Sequence, residues 1–189
     1  MEIMKSFKLL IALFAVFFFN SCSEDDSTSP VDAESLLGTW TVISLNADSN
    51  VNTNLLQVPI QTSTTSVGEN FNYDVTFTET EYTVVGGYDL ITTGIINGIP
   101  TDFDPVSITD VSETGTYALN GNDITIDGNL YEFEADGISL SETSEQQVAQ
   151  IAFNSNNELV MTQNVEETAN QDGIEFVVKI KAVSVWRKK

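Results

Sequence analysis

Two places in this chain hold side chains that could do chemistry. One is Cys22, the only cysteine, whose thiol is a nucleophile. The other is Asp102-Phe103-Asp104, a close pair of carboxylates in a segment that reads as a loop. Such a pair could chelate Ca²⁺ together with backbone carbonyls, or serve as acid and base in a glycosidase. The plainer reading is a solvated acidic loop, because 27 acids follow residue 21 and pairs at any spacing arise by chance. The chain has no histidine. That removes the commonest general base, the commonest metal ligand, and every Ser-His-Asp or Cys-His arrangement. A single cysteine allows neither an internal disulfide nor a Cys-based zinc site. There is no Gly-rich phosphate loop. No enzyme activity, cofactor or resident metal is therefore expected.

The 189 residues suit one domain plus a leader, and 41% hydrophobic residues suffice for a core. The formal charge is −21, and no Lys or Arg occurs between Lys8 and Lys179. Such a surface repels phosphates, so nucleic acid is not an expected partner. It reads as a device for solubility and against association, which favours a monomer. The sharper alternative is calcium binding by clustered carboxylates.

Lys5 and Lys8 precede an unbroken apolar run, Leu9 to Phe19. A membrane span needs about 20 such residues, so this run fits a secretory h-region instead. Phe19-Asn20-Ser21-Cys22 then resembles the lipobox of bacterial lipoproteins, with Phe19 where Leu is usual. The resemblance implies that residues 1–21 are removed as a signal peptide. Cys22 would take the diacylglycerol and become the lipidated mature N-terminus. Ser23-Glu24-Asp25-Asp26 and the residues to Pro30 cannot bury apolar surface, so 22–34 is expected to be an acidic flexible tether. A Ser followed by acids resembles the surface-export tag of some Gram-negative outer-membrane lipoproteins. That implies an outer-membrane, lipid-anchored and surface-exposed protein; a generic acidic spacer is the alternative.

Residues 35–189 read as one β domain. The stretch Gly38-Thr39-Trp40-Thr41-Val42-Ile43-Ser44-Leu45 alternates on a β-branched background. Regular alternation puts Trp40, Val42 and Ser44 on one face and Thr41, Ile43 and Leu45 on the other. Gly38-Thr39-Trp40 resembles the Gly-x-Trp signature opening the first strand of lipocalins. That resemblance implies an up-and-down barrel whose closed end Trp40 plugs, with an Arg near the end of the last strand packed across it. Arg187 is the candidate, although alternation puts Trp186 rather than Arg187 on the face of Val178 and Ile180.

Asn46 to Asn70 is polar but carries Leu55, Leu56, Val58 and Ile60, and reads as a long connection. It is similar to the lipocalin loop that folds over the barrel mouth; packing on the barrel exterior is the alternative. Short strands follow: Phe71 to Phe77, a return from Tyr82, and another from Tyr88 to Ile96. A loop then spans Asn97 to Pro105. A hairpin follows around Gly121-Asn122, then a pair across Asn154 to Glu158, and a long last strand from Ile174 to Arg187. The expected fold is thus all-β, an antiparallel up-and-down barrel of about 8–10 strands, with a β-sandwich as the alternative. Pairing of the last strand with the first distinguishes the two. The expected function is a lipid-anchored binding protein holding a small apolar molecule in the barrel. Leu55 and Leu56 would sit in its lid, and Phe71, Tyr73, Phe77, Tyr82 and Tyr117 in its walls. Glycan capture or adhesion by a surface sandwich is the second reading, and a carboxylate hydrolase the third.

Overall fold

The computed structural model describes residues 30–55, 58–128, 130–131, 134–135, 138–139, 146–171 and 174–189. The leader, Cys22, most of the tether and Leu56 lie outside the described residues. Among these residues one short helix, α1 (Ala33–Leu36), precedes eleven strands. These are β1 (Gly38–Leu55), β2 (Val58–Phe77), β3 (Glu81–Ile96), β4 (Ile99–Asp102), β5 (Val106–Asn120) and β6 (Asp123–Asp127). They continue with β7 (Glu134–Ala135), β8 (Ile138–Ser139), β9 (Gln146–Phe153), β10 (Leu159–Gln171) and β11 (Ile174–Lys188).

Nine strands form one antiparallel sheet in the order β2-β1-β11-β10-β9-β6-β5-β3-β4, and β2 also pairs with β3. The sheet therefore closes into a ring, with the short β4 continuing the edge of β3 above the start of β5. The closing seam sets Trp40 opposite Lys188 and Val42 opposite Trp186. Up to Gln163 of β10, where its pairing with β9 ends, every long strand thus finds two neighbours; beyond that point β10 pairs with β11 alone. The packed chain begins ahead of Ser35: Val31 is buried, and its N–H donates to Asn122 Oδ1 at 2.8 Å. Leu36 of α1 is buried, and its carbonyl accepts the Trp40 indole N–H at 2.7 Å, so the helix caps one end of the ring.

Besides strand β4, which occupies part of the stretch Asn97 to Pro105 that reads as a loop, two sequence expectations change here. In β1 the register slips between Val42 and Ser44, where one residue of β11 faces two of β1. This bulge at Ile43 moves Leu45, not Ser44, onto the face of Trp40 and Val42; Leu45 is fully buried. The second change concerns Asn46 to Asn70. It is no loop but the long hairpin of β1 and β2, paired from Asn46↔Val67 to Leu55↔Val58. Its Asn, Thr and Ser residues looked like loop composition, yet alternation sends Asp48 and Asn50 outward and keeps Ala47 and Val51 buried.

Bulges recur at one level around half of the ring. Pairing also slips in β2 near Asn70 (φ 52°), in β3 at Gly86, and in β5 near Asp110 (φ 58°). Gly86 has φ +122°, and a Cβ there would meet the Asn72 carbonyl oxygen at 1.8 Å, so only glycine fits. This belt divides the molecule. Below it stand all eight strands of the ring; among the described residues, the parts that rise well above it belong to β1, β2, β3, β10 and β11, with β4.

Candidate functional site

The lower ring is filled by aromatic side chains. Trp40, Tyr73, Phe77, Tyr82 and Trp186 are each at most 2% exposed. Phe77 stacks on Trp186 at 5.9 Å and meets Tyr117 edge-on at 5.1 Å. Tyr73 meets Tyr88 edge-on at 5.1 Å, and Phe71 stacks on Tyr88 at 5.8 Å. Tyr117 is half-buried, and its hydroxyl donates to the Thr78 carbonyl at 2.6 Å. The residues expected to wall a cavity therefore face inward, but in this lower half they pack on one another. Leu55 lies at the exposed tip of the β1–β2 hairpin and covers no mouth.

Trp40 is buried at the end of the ring that α1 caps, and Arg187 does not pack across it. Alternation turns Arg187 outward, where its guanidinium pairs with Glu158 at 2.7 Å. The cation over the Trp40 ring is Lys188, with its ammonium 5.2 Å from the centroid and donating to the Ser35 carbonyl. Lys188 stays paired opposite Trp40 in the seam and has the inward parity of Trp186, which brings its ammonium over the indole. Pro30, Val31, Asp32, Trp40, Phe153 and Lys188 line a cleft of about 470 Å³ there.

Above the belt the inner wall changes character. It carries Ala47, Ser49 and Val51 from β1, Thr62, Thr64 and Ser66 from β2, and Val178, Ile180 and Ala182 from β11. Val51, Val178 and Ile180 form a second apolar cluster with Val165 and Phe176. Ser66 and Thr92 share a hydrogen bond of 2.8 Å, whereas the Ser49 hydroxyl is buried and makes none. Phe103 leans onto Gly94 at the rim, where a Cβ would come within 3.1 Å of its ring. Comparison with family models, curated proteins and solved structures finds no match. The reading of the site rests on this geometry.

Outside the same wall, Asp48, Thr65, Thr93 and Asp102 stand in one row across β1, β2, β3 and β4. The Thr65 hydroxyl donates to Asp48 Oδ1 at 2.8 Å, and the Ser63 hydroxyl donates to Asn50. These residues line an open groove of about 550 Å³. Asp102 lines it and Asp104 does not. Among the described residues no three acidic, His or Cys side chains gather to hold a metal ion, so the calcium alternative finds no cage.

The perturbed carboxylates are structural. Asp89 is held below the usual carboxylate value by hydrogen bonds from Ser107 and Asn70, which tie the bulged strands together at the belt. Burial would raise Asp74, but the Lys189 ammonium and the Thr41 hydroxyl outweigh it and lower its pKa. Hydrogen bonds from Asn154 and Arg187 lower that of Glu158. Asp89 lines a groove of about 530 Å³ at the belt together with Asp110, and both of its oxygens already accept these hydrogen bonds.

Sequence reasoning missed Lys188, Tyr88, Leu130 and Tyr131. The alternation that turned Arg187 outward pointed toward its neighbour, and Tyr88 shares the parity of Leu90. Nothing marked Leu130-Tyr131, which follows a turn signal and belongs to no strand.

Proposed function

We propose that this is a lipid-anchored, non-catalytic binding protein of the outer-membrane surface. In this reading it is a lipocalin-like barrel that receives one small, mainly apolar guest against its inner upper wall. One observation carries the reading: the lining passes from packed aromatics to small side chains at the belt, with the Ser49 hydroxyl buried and unbonded above it. The short Ala, Val, Ser and Thr side chains of this buried wall suit contact with a small guest, and the Ser49 hydroxyl can orient one. The guest is uncharged or cationic, since Lys179 and Lys181 lie on the outward parity of β11 and Lys179 pairs with Glu166. Fatty acids and other anions find no inward cation among the described residues.

Anchoring rests on Phe19-Asn20-Ser21-Cys22 alone; among the described residues no helix is long and apolar enough to cross a membrane. Acylation contributes about 0.8 kcal/mol per buried CH₂, and two or more chains hold a protein stably. Cells fed a clickable palmitate analogue should label the wild type and not Cys22→Ala. The guest is tested by native mass spectrometry and displacement of a hydrophobic dye. Filling the wall with Val51→Trp should abolish dye uptake. No guest, no dye uptake and no effect of Val51→Trp would end the reading.

A second reading is favoured by the outer groove, whose hydroxyl, amide and carboxylate row suits a glycan. Binding on a glycan array that Thr65→Ala and Thr93→Ala remove, with Val51→Trp neutral, would select it.

A further inference from the structure

The seam ends in three cations, and the fold uses them differently. Arg187 pairs with Glu158 and Lys189 with Asp74. Lys188, between them, pairs with no carboxylate among the described residues, in a chain where 28 acids face 7 bases. Its ammonium donates to the Ser35 carbonyl at 3.1 Å and stands over the Trp40 ring. An ammonium has three N–H donors, so this one can serve a further acceptor. Across the same turn of α1 stands Asp32, whose Oδ1 accepts the Glu34 N–H at 3.1 Å. Among the described residues its Oδ2 accepts no hydrogen bond. Ser35 joins the two sides, since its N–H donates to the Asp32 carbonyl at 3.0 Å. Asp32 and Lys188 thus line one cleft of about 470 Å³ without meeting as an ion pair. The rest of its lining is mainly apolar. Val31 is fixed by the bond from its N–H to Asn122, and the Phe153 ring lies 6.0 Å from that of Trp40.

We propose that this cleft binds a small zwitterion with an apolar body, of the class of a free α-amino acid with an aromatic or large aliphatic side chain. Its carboxylate goes to Lys188, its ammonium to Asp32, and its side chain against Val31 and Phe153. The charge of the whole molecule selects this class. At −21 the chain repels an anion at long range. A cation would be drawn in, but Lys188 would oppose it inside the cleft. A zwitterion brings no net charge and gives each of the two groups a charge-assisted hydrogen bond. A cleft of this size, apolar with a few polar groups converging on it, suits a molecule of that size. The site lies at the opposite end of the ring from the upper wall, so it stands or falls apart from the guest proposed there.

The test titrates the full chain with L-phenylalanine by calorimetry. Phenethylamine, which lacks the carboxylate, and hydrocinnamate, which lacks the ammonium, are the controls. L-phenylalanine should bind about tenfold more tightly than either, the effect of one hydrogen bond to a charged group. Lys188→Met keeps a side chain of similar length and should bring L-phenylalanine down to the level of phenethylamine. Asp32→Asn keeps a residue that caps the helix equally well, and should bring it down to the level of hydrocinnamate. Val51→Trp in the upper wall should leave all three affinities unchanged. No binding of L-phenylalanine at millimolar concentration, equal affinities for the three probes, or loss of binding in Val51→Trp overturns the proposal. Where a variant fails to fold, the three probes on the wild type decide alone.

Discussion

Below the belt of bulges, large rings stack or meet edge to face. Above it, the same strands show short side chains and hydroxyls on the inside, and a polar ladder on the outside. Fewer strands reach the upper half, and along those that do, the bulges shift the parity and the inward side chains become shorter. The bulge at Ile43 keeps β1 buried on one side through that passage, because without it Leu45, Ala47 and Val51 would face solvent. The main apolar core fills the lower half, and a smaller second cluster sits in the upper half.

The comparison can be broken most directly in the aromatic layer. Trp40→Ala or Trp186→Ala should cost about 3–5 kcal/mol in urea unfolding, as for a fully packed aromatic; a loss under about 1 kcal/mol would mean the layer is not the core. At the belt, Gly86→Ala should cost about 1–3 kcal/mol through backbone strain. A crystal structure of that variant should show Asn72 displaced. In the upper wall, Val178→Ala removes two buried methyl groups and should cost about 1.6 kcal/mol, well under the tryptophan changes. An equal cost would erase the distinction between the halves.

Smaller effects sharpen the picture at the seam. Lys188→Ala should cost about 0.5–1 kcal/mol through loss of its contact with Trp40, and Arg187→Ala less than that in the same assay. The reverse order would restore Arg187 as the closing cation. At neutral pH, Tyr82→Phe should have the least effect. Burial, with Asp127 and Glu113 nearby, pushes the Tyr82 phenol up from 10.0 to about 12. Its neutral form is the one the fold favours, so its contribution is complete below pH 10 and is lost as pH rises through about 12. Urea midpoints between pH 9 and 12 should therefore fall less steeply for Tyr82→Phe than for the wild type.

Much of this was legible in the residues. Gly38-Thr39-Trp40 and the long final strand gave away the two partners of the closing seam, and Gly121-Asn122 and Asn154 to Glu158 gave away two hairpins. The β1–β2 hairpin was hidden because its upper inner face is lined with Thr, Ser, Ala and Val rather than with large apolar residues, so its alternation carried little hydrophobic contrast. The bulge at Ile43 was hidden because a register slip is set by the partner strand, which lies at the other end of the chain. Tyr131 was hidden because an interior position reached by a connection leaves no period to read. The assignment of Cys22 rests on sequence alone.

The seam has a consequence for the order of events in the life of the chain. Lys188 and Ser35, which touch at the closed end, are 153 residues apart in sequence. β1 gains its second neighbour only when β11 has been made and delivered. Until then its backbone N–H and C=O groups are an open edge able to pair with another chain. Contacts this distant also slow folding, since the loop must be closed before the contact rewards it. The nascent chain is thus kept from completing its barrel until the last residues arrive, and it is most prone to aggregate just before they do.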